Sequence, residues 1–290
     1  MATKTSLLGL TKPAYTDAAD IAVLNGNFDL IDKAVGNGAR VTNLLDNSWF
    51  VNPINQRGQS IYDGAGYTID RWRTWDNGAV TINDGYISHE TPIYQTIGVK
   101  LDSSKKYTFA VMNTDNVVTI VSGAINNDLW GSGINLAYNN GDSYVRIYAD
   151  DHVKNVVWAA LYEGAYTAET LPAYVYKGYA AELAECQRYY LHVGSSYSDW
   201  LTVSYAQGWG IIMEIPSPMT MRATPSAVVL DEGIKVFLSS GWTAANSIAV
   251  STYRRGGSVF LLLSGTNGAI GLDAGKTYLA AGLAGLSADL

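Results

Sequence analysis

The chain has 290 residues, of which 48% are apolar and only 16% charged, and its formal net charge is -7. This length is sufficient for two domains of ordinary size, each with its own core. Basic residues are scattered, and no basic stripe is present that would neutralise a nucleic-acid backbone. We therefore expect no nucleic-acid partner. The 29 glycines and 20 tyrosines favour short strands joined by tight turns.

Cysteine content and apolar runs limit the cellular context. The single cysteine, Cys186, cannot form an intrachain disulfide, so oligomerisation is the expected source of additional stability. The apolar run at residues 7–10 is too short for a signal peptide, and no run approaches the roughly 20 residues of a membrane span. We expect a protein that is made in a cytoplasm without a signal peptide and does not enter a membrane.

The N-terminal segment contains one amphipathic helical pattern. Asp17 offers an N-cap, and residues 36–38, Gly-Asn-Gly, offer a stop. Apolar residues between them follow the spacing three, four, three, four of a heptad seam: Ile21, Leu24, Phe28, Ile31 and Val35. The pattern lasts about two heptads, and Asn25-Gly26 weakens the helix. It fits either a helix lying on its own domain or the parallel association of several chains.

Between residue 47 and about residue 166 the pattern changes to the period of two that is typical of strands. Asn77-Gly78 and Asp84-Gly85 predict the turns of a β-meander. The predicted strands cover residues 67–75, 79–83, 86 onward, 106–112, 117–123, 144–149 and 155–162. Seven or eight strands over this length predict a β-sandwich.

Residues 171–191 interrupt the β pattern and predict a short helix that joins two β-units. From Tyr179 onward, apolar residues recur on one helical face, at Tyr179, Leu183, Cys186 and Tyr190. Glu182 and Glu185 are expected on the wetter side. Cys186 is interpreted as a small buried thiol.

A second β-unit is predicted over residues 192–290, because short β-rich runs alternate with turn residues and prolines. The predicted strands cover residues 202–205, 210–215, 227–230, 234–239, 247–253, 259–263 and 277–281. Helical patterns are almost absent here, so a second small sandwich is expected.

Four stretches resemble one family: LTKPAYTDAADIAVLNGNFDLIDKAV, NPINQRG, YTIDRWRTW and LPAY followed by ELAECQRYY. They are similar to tail fibre and receptor-binding proteins of long-tailed phages and prophages of Gram-positive hosts, in which an ECQRYY-type segment joins two β-domains. The resemblance implies a mainly β chain with an N-terminal attachment segment (1–46), a jelly-roll domain like those of carbohydrate-binding modules (47–170), a joining helix (171–191) and a C-terminal sandwich (192–290).

The same resemblance implies a homotrimer at the distal end of the phage tail, in the virion. Its N-terminal segment would contact other tail or baseplate proteins, and its outer β-unit would bind a host cell-wall or capsular glycan. The residues expected in the oligomer seam are Ile21, Leu24, Phe28, Ile31, Val35, Leu183 and Tyr190.

Residues for catalysis do not stand out. The three histidines lie far apart without a second ligand at metal-binding spacing, and no pair of carboxylates is singled out for glycoside hydrolysis. We expect no enzyme activity, no metal site and no cofactor, although a structural calcium in the first sandwich stays open. The alternatives are a polysaccharide-degrading tailspike and a free carbohydrate-binding module.

Aromatic residues of the second β-unit are the remaining signal for binding. Aromatic faces beside polar groups suit sugar rings, whose apolar face stacks while the hydroxyls accept and donate hydrogen bonds. The predicted stacking residues are Trp200, Tyr205, Trp209 and Trp242, with Asp199, Gln207 and Arg254 as polar partners. Large aromatics also fill sandwich cores, and that interpretation stays open.

Overall fold

A computed structural model of the chain describes residues 3–5, 10–14, 20–38, 41–125, 127–138, 143–194, 201–203, 205–207, 210–216, 219–229, 235–238, 241–244, 249–255, 258–264, 278–281 and 283–288. Side chains are described over the same residues, except for 32–38 and, beyond residue 200, outside 215, 219–227, 252 and 286–288. The described residues form 24 strands and two helices. The prediction of a mainly β protein is confirmed.

The described elements follow one another along the chain. The first are β1 (Thr3–Lys4), β2 (Thr11–Lys12), α1 (Ile21–Gly38), β3 (Ile61–Tyr62), β4 (Arg73–Thr74) and β5 (Val80–Asn83). Next come β6 (Tyr86–His89), β7 (Ile93–Thr96), β8 (Lys106–Asn113), β9 (Val118–Ala124), β10 (Leu129–Trp130), β11 (Ile134–Ala137), β12 (Tyr144–Ile147) and β13 (Asn155–Glu163). The last are α2 (Tyr179–Cys186), β14 (Tyr190–His192), β15 (Leu201–Val203), β16 (Tyr205–Gln207), β17 (Gly210–Pro216), β18 (Ser226–Val229), β19 (Lys235–Leu238), β20 (Gly241–Ala244), β21 (Ala249–Arg255), β22 (Ser258–Ser264), β23 (Tyr278–Ala281) and β24 (Leu283–Ser287).

The chain divides into two compact units, and neither is continuous in sequence. The first comprises residues 1–51 and 83–176, and the second comprises residues 52–82 and 177–290. This grouping differs from the four consecutive segments expected from the sequence, because residues 52–82 fold with the C-terminal part. The predicted segment boundaries stay a prediction.

Helix α1 begins later than its predicted N-cap. The carboxylate of Asp20 accepts a hydrogen bond from the backbone N–H of Ala22 at 2.8 Å, which makes Asp20 the cap; Asp17 lies outside the described residues. The predicted end at residues 36–38 is confirmed. Asn27, in mid-helix, holds the β1–β2 hairpin: its amide accepts from the Thr11 N–H and donates to the Thr11 carbonyl, both at 2.8 Å.

Two antiparallel arrangements of strands form the first unit. One has the order β6-β13-β8-β9 and the other the order β10-β11-β12-β7. Strand β11 contacts both β8 and β9, so the two sheets meet, as expected of the β-sandwich class. Fully buried apolar side chains from both sheets form the core, among them Ile87, Ile93, Phe109, Val111, Leu136, Val145 and Leu161.

Strands β8 and β13 are buried on both faces. Their inner face contributes Phe109 and Leu161, and their outer face contributes Trp158, which is 7% exposed. The ring of Tyr174 stacks on Trp158 at 5.1 Å and on Trp49 at 5.2 Å. Chain segments before and after the sheet therefore cover its outer face, which explains why these strands lack the alternation of a half-buried strand.

His89, the last residue of β6, is buried. His89 is 2% exposed, with Nδ1 2.9 Å from the Thr91 carbonyl and Nε2 3.0 Å from the Val153 carbonyl. A neutral imidazole has one N–H and satisfies only one of these acceptors. Burial nevertheless lowers the pKa of His89 below its ordinary value of 6.5, and the two carbonyl contacts oppose that shift.

All strand pairs described in the second unit are antiparallel. β3 pairs with β5 in the N-terminal part. Beyond α2 the strands form three sheets with the orders β14-β24-β18, β15-β23-β19-β20 and β16-β17-β22-β21. This arrangement agrees with the predicted all-β character of the region, and a second sandwich stays a prediction.

The predicted strand at residues 67–75 is wrong. The chain folds back between Tyr67 and Arg73, which form an isolated bridge, and Arg71 lies in the left-handed region with φ of 72°. The backbone N–H of Asp70 donates to the Ile54 carbonyl at 3.1 Å, and its carboxylate is buried. Burying this charged residue among hydrogen-bond donors prevails over the alternating apolar pattern that suggested a strand.

Helix α2 matches its predicted start at Tyr179, but its buried face is rotated. Cys186 is buried as predicted, whereas Glu182 is only 2% exposed and Tyr179 is 49% exposed. Glu182 and Cys186 are four residues apart and therefore share one face. The prediction that Glu182 lies on the wetter side is wrong, because the helix packs on the Glu182–Cys186 face.

Residues of three separate stretches, NPINQRG, YTIDRWRTW and ELAECQRYY, meet inside the second unit. The guanidinium of Arg57 lies 4.0 Å from the ring centroid of Tyr190 and 5.0 Å from that of Tyr67, and its Nη1 lies 3.1 Å from Asp70 Oδ1. Gln56 Nε2 donates to Asp70 Oδ2 at 2.6 Å and to the Tyr190 carbonyl at 2.8 Å. This arginine–tyrosine cluster fastens residues 52–82 to the segment that follows α2.

We expect the His89 pKa shift to make the protein sensitive to acid. The unfolded chain takes up the proton as the pH falls through about 6.5, whereas the buried ring resists it. The stability is fully present above that pH and is lost as the pH falls below it. Thermal unfolding between pH 7.5 and pH 5 should therefore show a smaller loss of Tm in His89→Gln than in the unmodified protein. The exposed His152→Gln variant is the control, and equal pH slopes in all three proteins would contradict the prediction.

Removing one partner of the buried Arg57–Asp70 ion pair should destabilise the fold far more than removing one partner of an exposed pair. Arg57→Met removes the cation beside a carboxylate that is 1% exposed, and loss of one partner of a buried pair costs about 3–5 kcal/mol. Urea unfolding measures the change.

The matched control is Lys105→Met, which breaks the pair with Glu163, where the side chains are 46% and 51% exposed. The control should leave the unfolding midpoint nearly unchanged, because solvent screens exposed pairs. Equal midpoints for the two variants would show that Arg57 does not stabilise the fold.

Candidate functional site

The seven residues predicted to bind glycan lie in a part of the second unit with few described side chains. Asp199, Trp200 and Trp209 fall outside the described residues. The others have a described backbone only: Tyr205 and Gln207 in β16, Arg254 in β21 and Trp242 in β20. β16 and β21 are the first and last strands of one sheet, and β20 belongs to another. Their role as a joint site stays a prediction.

On α1, the predicted seam residues whose side chains are described are exposed. Ile21 is 72% exposed, Leu24 47%, Phe28 57% and Ile31 38%. These values are high for large apolar side chains that recur on one helical face. Val35 has a described backbone only.

The other two predicted seam residues belong to the second unit. Leu183 is half-buried. Tyr190 is 5% exposed, with the guanidinium of Arg57 above its ring, so most of its surface is already covered.

A mostly apolar open pocket of about 280 Å³ lies beside the first turns of α1. It is lined by Pro13, Asp20, Ile21, Val23, Leu24 and Asn27. The same helix thus presents protruding apolar side chains and an apolar pocket.

A second exposed surface lies on the outer face of the sheet β10-β11-β12-β7. Register brings Trp130 opposite Asn135, Asn135 opposite Arg146, and Arg146 opposite Tyr94. Directly opposed residues of antiparallel strands point to the same face. We call this surface the outer aromatic row, and its members are Tyr94, Trp130, Asn135, Tyr144, Arg146 and Tyr148.

The alternation along β12 shows which face is outward. Val145 and Ile147 are fully buried, whereas Tyr144, Arg146 and the following Tyr148 are partly exposed. On β10, Trp130 is 62% exposed. A large aromatic group therefore stands on the solvent side of this sheet while the opposite side forms the core.

Arg146 holds the two tyrosines of the row in place. Its Nη1 donates to the Tyr148 hydroxyl and its Nη2 to the Tyr144 hydroxyl, each at 2.9 Å. The guanidinium also lies 5.1 Å from the Tyr144 ring centroid and 5.4 Å from that of Tyr148. Trp130 stacks beside Tyr148 at 6.0 Å with 28° between the planes, and Tyr94 meets Tyr144 edge-on at 6.0 Å. The aromatic groups form a continuous, braced surface.

Asn135 supplies a buried polar group in the middle of the row. The residue is 1% exposed, and its Nδ2 donates to the Leu129 carbonyl at 3.0 Å. Its Oδ1 accepts no hydrogen bond from the described residues. A buried acceptor of this kind is costly to leave without a partner.

A tight turn places Trp130 next to the other members. Gly133 has φ of 73°, and a Cβ at this position would lie 2.6 Å from Val153 Cγ2. The residue must therefore be glycine for the chain to pass from β10 to β11. The carbonyl of Gly133 also accepts a hydrogen bond from the Tyr148 N–H at 2.9 Å. The pairing of β11 with β12 therefore continues one residue beyond β12, to Tyr148.

Sequence reasoning missed this row, although part of its signal was available. Tyr144, Arg146 and Tyr148 alternate within a predicted strand, and that alternation indicates one shared face. The two-residue strand containing Trp130 and the strand containing Tyr94 were not predicted. Only register shows that these residues meet.

No family model, no curated protein and no solved structure matches the chain. Among the described residues, no group of three or more His, Cys, Asp or Glu side chains is arranged to hold a metal ion. No helix in the described part of the chain is both long and apolar enough to cross a membrane.

Proposed function

We propose that the chain is a structural and receptor-binding component of a phage tail that attaches the particle to host cell-surface glycans. The observation that carries the proposal is the outer aromatic row, with Trp130 62% exposed beside Tyr148 and Arg146. Exposed aromatic faces beside guanidinium and hydroxyl groups suit sugar rings. The tail context comes from the resemblance of the four sequence stretches to tail proteins of Gram-positive hosts.

In this proposal the first unit is a jelly roll like those of carbohydrate-binding modules, and the chain works in the virion at the distal end of the tail. The outer aromatic row lies in the first unit, whereas the sequence led us to expect recognition by the second. The aromatic residues of the second unit are retained as a further proposed contact.

The exposed face of α1 supports a homotrimer. Ile21, Leu24, Phe28 and Ile31 would be buried between three parallel chains, as a heptad seam requires. The N-terminal segment would also contact other tail or baseplate proteins.

Each proposed glycan site is weak by itself, so adhesion depends on the association of several chains. Each aromatic stack contributes about 1 kcal/mol, so one site would bind at about millimolar affinity. Three copies on one trimer and several trimers on one particle would raise the avidity by orders of magnitude. The proposed trimer thus supplies the adhesion that a single row lacks.

The chain is proposed to bind without cleaving. A polysaccharide-degrading tailspike is the competing class, and a free carbohydrate-binding module is the third. The exposed α1 face favours a protein that assembles over a free module.

The trimer proposal is tested by mass in solution. The unmodified protein should have the mass of three chains at micromolar concentration, and Leu24→Asp should dissociate it, because a carboxylate would be buried in an apolar seam. The control is Ala22→Asp, an exposed position outside the heptad seam on the same helix. A monomeric unmodified protein would exclude the seam.

Glycan binding is tested by retention on purified cell-wall and capsular polysaccharides from a panel of Gram-positive bacteria. The unmodified protein should be retained by at least one of them and should release no reducing ends. Trp130→Ala should abolish binding to whole cells with little change in Tm, because its side chain is largely exposed.

The matched control for that experiment is Trp75→Ala, at another exposed tryptophan, which is 47% exposed. It should bind as the unmodified protein does. Undiminished binding by Trp130→Ala would exclude the row as the site, and release of reducing ends would favour the tailspike alternative.

A further inference from the structure

We propose that the outer aromatic row recognises the interior of a linear glycan chain, across several consecutive sugar rings, and does not require a chain end. This inference rests on the glycan binding proposed above and names the form in which the glycan is bound.

The length of the row supports an extended ligand. Trp130, Asn135, Arg146 and Tyr94 stand on four neighbouring strands, one residue on each. Three steps between strands of about 4.8 Å each span roughly 14 Å. That distance accommodates a short run of linked sugars and exceeds the size of one ring.

The order of chemical groups along the row supports binding along the chain. The apolar faces lie towards the two ends, at Trp130 and Tyr94, and the polar groups of Asn135 and Arg146 lie between them. Recognition of a chain end requires polar groups that close one end of a site around the terminal hydroxyls. Here one end is an indole that is 62% exposed, on the terminal strand of its sheet. A longer chain can therefore continue past Trp130.

The row is also braced for repeated stacking. The two hydrogen bonds from Arg146 to Tyr144 and Tyr148 fix both rings before any ligand arrives. A rigid surface loses little entropy on binding, so each additional sugar ring that reaches an aromatic face adds affinity.

The test uses the full-length protein and oligosaccharides cut from a polysaccharide that retains it, sorted by length. Calorimetry should show affinity rising several-fold with each added ring until the row is covered, and then levelling off. Reducing the terminal sugar with borohydride should leave the affinity of the longer oligosaccharides unchanged. Equal affinity for the shortest and longest fragments, or loss of binding after borohydride treatment, would overturn the inference.

Two variants test whether the dependence of affinity on fragment length comes from the outer aromatic row. Tyr94→Ala shortens it from one end and should weaken binding of long fragments several-fold while leaving short fragments bound at Trp130 nearly unaffected. Arg146→Lys retains the charge but loses the double hydrogen bond, so it should weaken fragments of every length with Tm little changed. An equal loss for all lengths in Tyr94→Ala would also overturn the inference.

Failure of this inference is distinguishable from failure of the proposed function. If no polysaccharide retains the protein, glycan binding itself fails. If one does and Trp130→Ala abolishes retention, but affinity does not depend on length, only recognition of the chain interior fails.

Discussion

The buried ion pair between Arg57 and Asp70 is the contact on which the second unit depends. Asp70 is fully buried, and its carboxylate accepts hydrogen bonds from Arg57 and Gln56, while the guanidinium of Arg57 lies over Tyr67 and Tyr190. A buried charge is tolerated only when it is paired and hydrogen-bonded, so these residues must remain together. Residues 52–82 are thereby held to the segment after α2, although more than a hundred residues separate them in sequence.

In the first unit, the outer faces of the two sheets differ in how far they are covered by other parts of the chain. Chain segments carrying Trp49 and Tyr174 cover the outer side of β13, where Trp158 is nearly buried. The outer side of β12 instead carries Tyr144, Arg146 and Tyr148, which remain partly exposed. Exposing several aromatics next to one another costs solubility and is uncommon without a binding role. The difference between the two faces is the physical basis for placing the proposed glycan contact on β12 and its neighbours.

The exposed residues of α1 support the proposed trimer, and the exposed residues of the outer aromatic row support the proposed glycan binding. Glycan stacking is weak for each site, because sugars are well hydrated and only their ring faces are apolar. An assembly of identical chains multiplies such contacts without requiring any of them to be strong.

Local pattern in the sequence was sufficient for the class of fold, for both helices and for most long strands, because helical spacing and the period of two are properties of neighbouring residues. β8, β9, β13, β17, β21 and β22 were predicted from that pattern. β7, β10 and β11 were missed, since two of them are short or continuously buried and carry little alternation. Tertiary structure decided the rest. The reversal at residues 67–75 follows from burying Asp70, the rotated face of α2 from packing Glu182, and the meeting of Trp130, Arg146 and Tyr94 from strand register, which connects residues that no local spacing relates.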